Sequence, residues 1–312
     1  MNTLQSEPLS ACADTAYAIS GWYLLAFADE LVAEVTPLSI GGRALMAVRR
    51  EGAEGIRVFD ATCPHRGANL AHGGIVTGDA VVCPFHSKAV ALGDNSRRWS
   101  VAEHTVARVG DAVFVRIGED DRGFSTVLAA LAGRRVSAGL VREVAVPSVY
   151  VIENAFDIEH FSPVHKVPRV VDLGLRPSEH GELALETAFE TLAPRPGGGT
   201  EQIRTRFCAR AYSPHLVVSE LGPAGSADLV ITGTVPTATG CVARVVYATA
   251  PDAPEGYVGA LIRGGVLAFD QDQVVWEHLD PEAQVRYDAG DAAIVAFRDF
   301  CGTFPRLAAG DR

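Results

Sequence analysis

Over its first third the chain sets short apolar runs between turn-forming residues. WYLLAF from Trp22, then ALMAV, IRVFD, AVVC and AVFVRIG follow one another with Gly, Asp or Asn between them. Runs this short and this evenly punctuated predict strands, and together a small all-β unit ending near Ile117. The pattern then changes. The stretch from Gly118 to Arg142 opens with GEDDRG and continues through VLAALAGRR, which predicts a connector containing a short helix. A domain boundary placed there gives residues 19–119 and 120–312 as the two domains.

In the second part a strand, VREVAVPSVYV, is expected to run into ENAFDIEHFSPVH, whose apolar spacing is helical until Pro163 bends or ends it. Strand-like runs return in LALETAFE, IRTRFCARAY, HLVVSEL, ADLVITGTV and CVARVVYATA, with PRPGGGT at 194 to 200 as a hairpin loop. Helical patterns at roughly 255 to 279 and 291 to 303 close the chain. The fold class is therefore α+β, an all-β N-terminal domain followed by an antiparallel sheet flanked by helices.

Charge narrows the partners. With 27 basic against 38 acidic residues the net charge is -11, and like charges form no long block, which argues against nucleic acid. Asp29, Glu30 and Arg263 interrupt the most apolar segments, so no span long enough for a bilayer is expected. The first 20 residues lack a basic start and an apolar core, which predicts a cytoplasmic protein. Cys12, Cys208, Cys241 and Cys301 are scattered among apolar or small residues and read as reduced core positions.

Cys63 and Cys83 keep different company. Cys63-Pro64-His65 and Cys83-Pro84-Phe85-His86 each follow a strand-like run, so two loops together deliver two thiols and two imidazoles. Thiolates suit iron bridged by sulfide, and imidazoles in place of two of them raise the reduction potential. A zinc site also takes two Cys and two His, but its cysteines usually sit close together ahead of its histidines. Here each pair mixes the two residue types. CPHRGANL and CPFH closely resemble the cluster-binding loops of Rieske proteins, a resemblance that covers the first domain and implies a 2Fe-2S cluster on Cys63, His65, Cys83 and His86. The second loop departs from the family by continuing with Ser87-Lys88, where Gly and an aromatic residue are common.

A second site is legible in ENAFDIEHFSPVH. Non-haem iron that binds dioxygen takes two imidazoles and one carboxylate on one face, and His160 and His165 can supply the imidazoles. Asp157, three residues before His160, is placed to accept a hydrogen bond from that ring if the segment is helical. The late helix offers Asp270, Asp272 and Glu277 as the carboxylate. Asp272 shares its helical face with Gly265, Ala268, Phe269, Val275, Trp276 and Leu279, and an inward-facing acid is costly unless paired or metal-bound, which favours Asp272. Asn154 reads as a helix cap; that it lies beside the metal is what a resemblance to the iron-binding helix of Rieske oxygenase α subunits implies. His72, His104, His180, His215 and His278 have no ligand-like company.

Downstream of the cluster motif, this segment resembles the iron-binding helix of Rieske oxygenase α subunits. ENAFDIEHFSPVH and QDQVVW are most similar to the branch of 3-ketosteroid 9α-hydroxylase oxygenases and cholesterol 7-desaturases. The resemblance implies a monooxygenase component with a mononuclear iron(II), dioxygen as cosubstrate, and electrons drawn from NAD(P)H through a ferredoxin or flavin reductase. It also implies a homotrimer in which an acid at the Asp157 position links a cluster histidine, His86, to an iron histidine, His160, of the next subunit. The implied reaction is hydroxylation or desaturation of a bulky apolar, steroid-like or polycyclic substrate. Because the chain is short for that branch, demethylation of a small aromatic and tailoring of a secondary metabolite stay open. So does an electron carrier with a non-catalytic lipid-binding domain.

Overall fold

The computed structural model describes residues 17–49, 55–194, 199–222, 227–280 and 283–307. Cys12 and the tip of the loop at 194 to 200 lie outside them. The early apolar runs form two sheets. One has six antiparallel strands in the order Gly21–Phe27, Ala112–Ile117, Glu103–Val109, Ile56–Asp60, Arg43–Arg49, Val35–Ile40. The other is a smaller sheet of Ile75–Thr77, Ala80–Val82, Ala89–Leu92 and Ser100–Val101. Buried Met46, Val48, Phe59, Leu70, Val81 and Val90 join the two into one core beneath the cysteine loops.

Helix α1, Phe124–Leu131, lies in the connector. After it, seven antiparallel strands make the second large sheet, in the order Arg135–Val144, Gly240–Thr249, Asp228–Thr237, Leu216–Leu221, Thr200–Ser213, Leu183–Pro194, Arg169–Arg176. Its central strands are buried on both faces, so they read as continuous apolar runs rather than alternating ones. Alternate residues still have separate duties. Leu216, Val218, Leu229, Ile231, Val246 and Ala248 pack against Trp22, Leu24 and Phe114 of the six-stranded sheet. Gly233 permits that approach, since a Cβ there would stand 2.4 Å from the Leu24 Cβ. The intervening residues, Val217, Thr232, Val245 and Tyr247, face the other way, into a cavity roofed by α3, Glu255–Trp276.

Two expectations are corrected. The strand expected through VREVAVPSVYV stops at Val144, and α2, Ser148–Glu153, begins where Pro147 fixes the backbone ahead of its first turn. The continuous helix expected through ENAFDIEH is absent. Chain turns follow α2 over Asn154–Phe156, and only a single 3-10 turn, Glu159–Phe161, carries His160. Pro163 does not separate the histidines, because the N–H of Val164 bonds the carbonyl of His160 and that of His165 the carbonyl of Phe161. The break falls before His160 instead. α4, Ala292–Gly302, packs behind α2, with Phe297 stacked on Phe156 at 5.2 Å and Arg298 forking onto the buried Glu153 carboxylate.

Candidate metal centres

The two cysteine loops are built to one plan. Cys63 N–H bonds the Ala68 carbonyl and Gly67 N–H returns to the Cys63 carbonyl; Cys83 N–H bonds the Lys88 carbonyl and Ser87 N–H returns to the Cys83 carbonyl. The fifth residue of each loop is left-handed, Gly67 at φ 74° and Ser87 at φ 53°. This repeat puts both buried thiols and both imidazoles at one place, with the His65 and His86 rings 4.8 Å apart. Burial pushes the Cys63 thiol up, while at Cys83 burial is outweighed by the amides of Phe85 and His86, which hold it down. The Nδ1 of His65 is buried with no hydrogen-bond partner among the described residues, as suits a nitrogen whose lone pair serves a metal. The donor set fits a Rieske 2Fe-2S cluster.

The second site is assembled from three distant pieces of sequence. His160 comes from the 3-10 turn, His165 from the turn after it, and Asp272 from α3 at the only fully inward position of its last two turns besides Phe269 and Trp276. Ligand atoms of all three lie within 4.8 Å of one another. The Nε2 atoms of His160 and His165 are 3.2 Å apart, and Asp272 Oδ1 is 3.2 Å from the His165 Nε2 and 3.9 Å from that of His160. Each ring is held by its other nitrogen. His160 Nδ1 bonds the backbone carbonyl of Asp157 at 2.5 Å, and His165 Nδ1 bonds Oε1 of Gln271 at 3.0 Å. Both bonds place the proton on Nδ1 and leave Nε2 free to ligate, the arrangement metal-binding histidines adopt.

Burial keeps the His160 imidazole below the ordinary range despite Asp272 and Asp157. At His165 burial is outweighed by the bonds to Asp272 and Gln271, which lift it. Two nitrogens and one carboxylate converging from one side, with the rest open to a cavity, is a donor set that fits a mononuclear non-haem iron.

Other candidates fall into place around this centre. Asn154 caps no helix start; its Nδ2 donates to Asp272 Oδ2 at 2.9 Å and lies 3.2 Å from His160 Nε2. Asp157 does not hold the His160 ring through its carboxylate, which is 3.7 Å away and instead accepts the N–H groups of Glu159 and His160. The physical reason is the missing helix: in a tight turn the carbonyl, not the side chain, reaches the ring. Asp270 is half exposed and pairs with Arg142, and Glu277 is bonded by Gln273, so neither approaches the site. Gln271 escaped sequence reasoning, and its only signal was its place next to Asp272. His104 is tied to the Asp60 carboxylate, which Arg43 also bonds, and His278 is exposed.

The centre opens into a cavity of about 470 Å³ walled by Phe161, Phe207, Val217, Val230, Leu261 and Trp276 among others. Among the described residues no helix is long and apolar enough to cross a membrane.

Comparison with known proteins agrees with this geometry. Residues 21–100 match the Rieske [2Fe-2S] domain family. A cholesterol 7-desaturase of Bombyx mori is 26% identical over 91% of this chain and 69% of its own length, and one of Hemicentrotus pulcherrimus is 25% identical over 83% and 64%. The chain thus spans about two thirds of these relatives. In fold it is similar to dicamba monooxygenase bound to 3,6-dichlorosalicylic acid (TM-score 0.67, 15% identity, 91% of this chain and 96% of that one). The terminal oxygenase of carbazole 1,9a-dioxygenase from Novosphingobium sp. KA1 is as similar (TM-score 0.67, 14% identity, 95% of each chain). A matched Rieske domain and a ready-formed two-histidine, one-carboxylate centre on the same chain give it the machinery of a Rieske-type non-haem iron oxidoreductase.

Proposed function

We propose that the chain is the terminal component of a monooxygenase that hydroxylates or desaturates a bulky apolar, polycyclic or steroid-like molecule. The observation that carries this reading is the convergence of His160, His165 and Asp272 at the wall of a deep apolar cavity. Pockets of this size and lining bury most of a multi-ring ligand and need few polar contacts to orient it. Likeness to cholesterol 7-desaturases over most of the chain supports a steroid-like guest.

In this reading residues 19–119 form the electron-accepting domain and 120–312 the catalytic one. Cys63, His65, Cys83 and His86 hold the cluster; His160, His165 and Asp272 hold the iron. When bound, the two groups supply single-electron transfer and the activation of dioxygen. The protein's own share is positional. Asn154 fixes the Asp272 carboxylate, Gln271 and the Asp157 carbonyl aim the two imidazoles, and the aromatic walls exclude water. Asp157 keeps its carboxylate one third exposed beside a second cavity of about 180 Å³, a position suited to meeting the cluster loop of another subunit in a homotrimer. A ferredoxin or flavin reductase fed by NAD(P)H would supply the electrons.

The test is metal content and isotope fate. Anaerobically purified protein should show a Rieske electron paramagnetic resonance signal on reduction and about one iron beyond the two of the cluster. With a reductase and a four-ring substrate it should consume dioxygen, placing one labelled oxygen atom in a hydroxylated product and the other in water, or both in water on desaturation. Protein holding cluster iron only would be an electron carrier, and the oxygenase reading would fall.

A further inference from the structure

Tyr247 is packed as though its ring position mattered more than its bulk. Its strand, Gly240–Thr249, pairs with Arg135–Val144, and the register slips at Gly139 between Ala138 and Leu140. A Cβ at Gly139 would stand 2.4 Å from Cε2 of Tyr247, and a Cβ at Gly265 of α3 would stand 1.7 Å from its hydroxyl oxygen. Two glycines and a bulge therefore make room for one phenol. The side chain is 1% exposed, lines the cavity, and forms no hydrogen bond with any described residue. A buried tyrosine hydroxyl ordinarily has a partner. Burial pushes its pKa up to about 12, so it stays a neutral donor at ordinary pH.

We infer that Tyr247 is a specificity-determining residue whose hydroxyl bonds an oxygen function carried by the substrate far from the carbon that is oxidised. The inference rests on the oxygenase reading above. Distance along α3 sets the ruler: the hydroxyl lies against Gly265, and Asp272 follows seven residues later, about 10 Å along the helix axis. That separation suits the long dimension of a fused-ring skeleton. Charge sets the chemistry. No Lys or Arg is among the described residues lining the cavity, so the oxygen is a neutral hydroxyl or carbonyl rather than a carboxylate. Ser219 and Tyr247 flank Val230 in one row across three strands, and Thr232 sits in the next row, so further hydroxyls line the same wall.

The test uses androstanol and androstane, which differ only in one hydroxyl, titrated into the fully metallated protein and followed by the change in tryptophan fluorescence, Trp276 being the tryptophan that lines the cavity. Wild type should bind the alcohol more tightly than the hydrocarbon. Tyr247→Phe should weaken the alcohol about three- to tenfold, the worth of one hydrogen bond, and leave the hydrocarbon within about twofold. Equal loss for both probes, or loss for neither, overturns the inference while leaving the oxygenase reading standing, because binding is read without turnover. Should neither probe bind wild type, the four-ring reading falls too. An unchanged melting temperature in Tyr247→Phe shows that any loss is local.

Discussion

Ser87 shows how a single residue's backbone can be read as stability. It occupies the same left-handed place in its loop that Gly67 fills in the other, and a side chain in that region costs about 1 kcal/mol that glycine avoids. Ser87→Gly should therefore stabilise the holo-protein by about 1 kcal/mol, visible as a higher denaturant midpoint with the cluster spectrum unchanged; a lower midpoint would mean that the serine hydroxyl does more than the geometry indicates. Asp157 allows a cleaner separation of roles. Because the His160 ring is held by the Asp157 backbone carbonyl, Asp157→Asn should keep both metals while turnover falls about 10–100-fold. Iron loss in that variant would instead make the carboxylate a support of the iron site. Asp272→Ala, by contrast, should lose the mononuclear iron and keep the cluster signal. Residue types and their spacing led to the expectation of the four cluster positions, and pointed to the two histidines and Asp272, whose ligand atoms the structure gathers within 4.8 Å. Gln271 was hidden because its contact with His165 spans 106 residues of sequence, and periodicity carries no trace of such a meeting.

At the scale of elements, α3 does two jobs with one face. Its last turns carry Asp272, Phe269 and Trp276 inward, while its earlier turns offer Ala260, Gly264, Gly265 and Ala268 to the cavity. Glycine inside a helix costs about 1 kcal/mol relative to alanine, so two in succession point to space being worth more there than helix propensity. A Cβ at Gly264 would meet nothing within 4 Å. Gly264→Leu should thus fold as well as the parent, retain both metals, and weaken four-ring probes by about tenfold or more through lost volume; undiminished binding would move the guest away from this helix. The long helix was legible from its 3.6-residue pattern. The turn that carries His160 was not, because Ala155, Phe156, Ile158 and Phe161 keep a helical spacing although the chain satisfies them by packing onto α4 and the sheet rather than by continuing the helix.

The whole molecule is joined along a seam where the strand Gly21–Phe27 lies on the seven-stranded sheet. His215 is sealed into that seam, stacked on Tyr23 at 4.8 Å, and neither of its ring nitrogens has a hydrogen-bond partner among the described residues. Burial pushes its pKa down to about 3. Below the ordinary histidine value of about 6.5 the unfolded chain therefore takes up a proton that the folded chain refuses, and stability falls with pH between about 6.5 and about 3, by about 1.4 kcal/mol per unit. His215→Phe should flatten that acid limb in urea unfolding measured from pH 7 to pH 5. A limb of unchanged slope would assign the acid sensitivity to other groups. Sequence alone determined the chemistry on offer, because metals demand particular donors and those donors are written in short motifs, and it determined the element types wherever an apolar repeat ran long enough. Only the tertiary structure decided that Asn154 braces Asp272, that Gln271 holds the His165 ring, and where Tyr247 points. Each of these depends on chain segments more than a turn apart being packed together, and local pattern holds no record of distance.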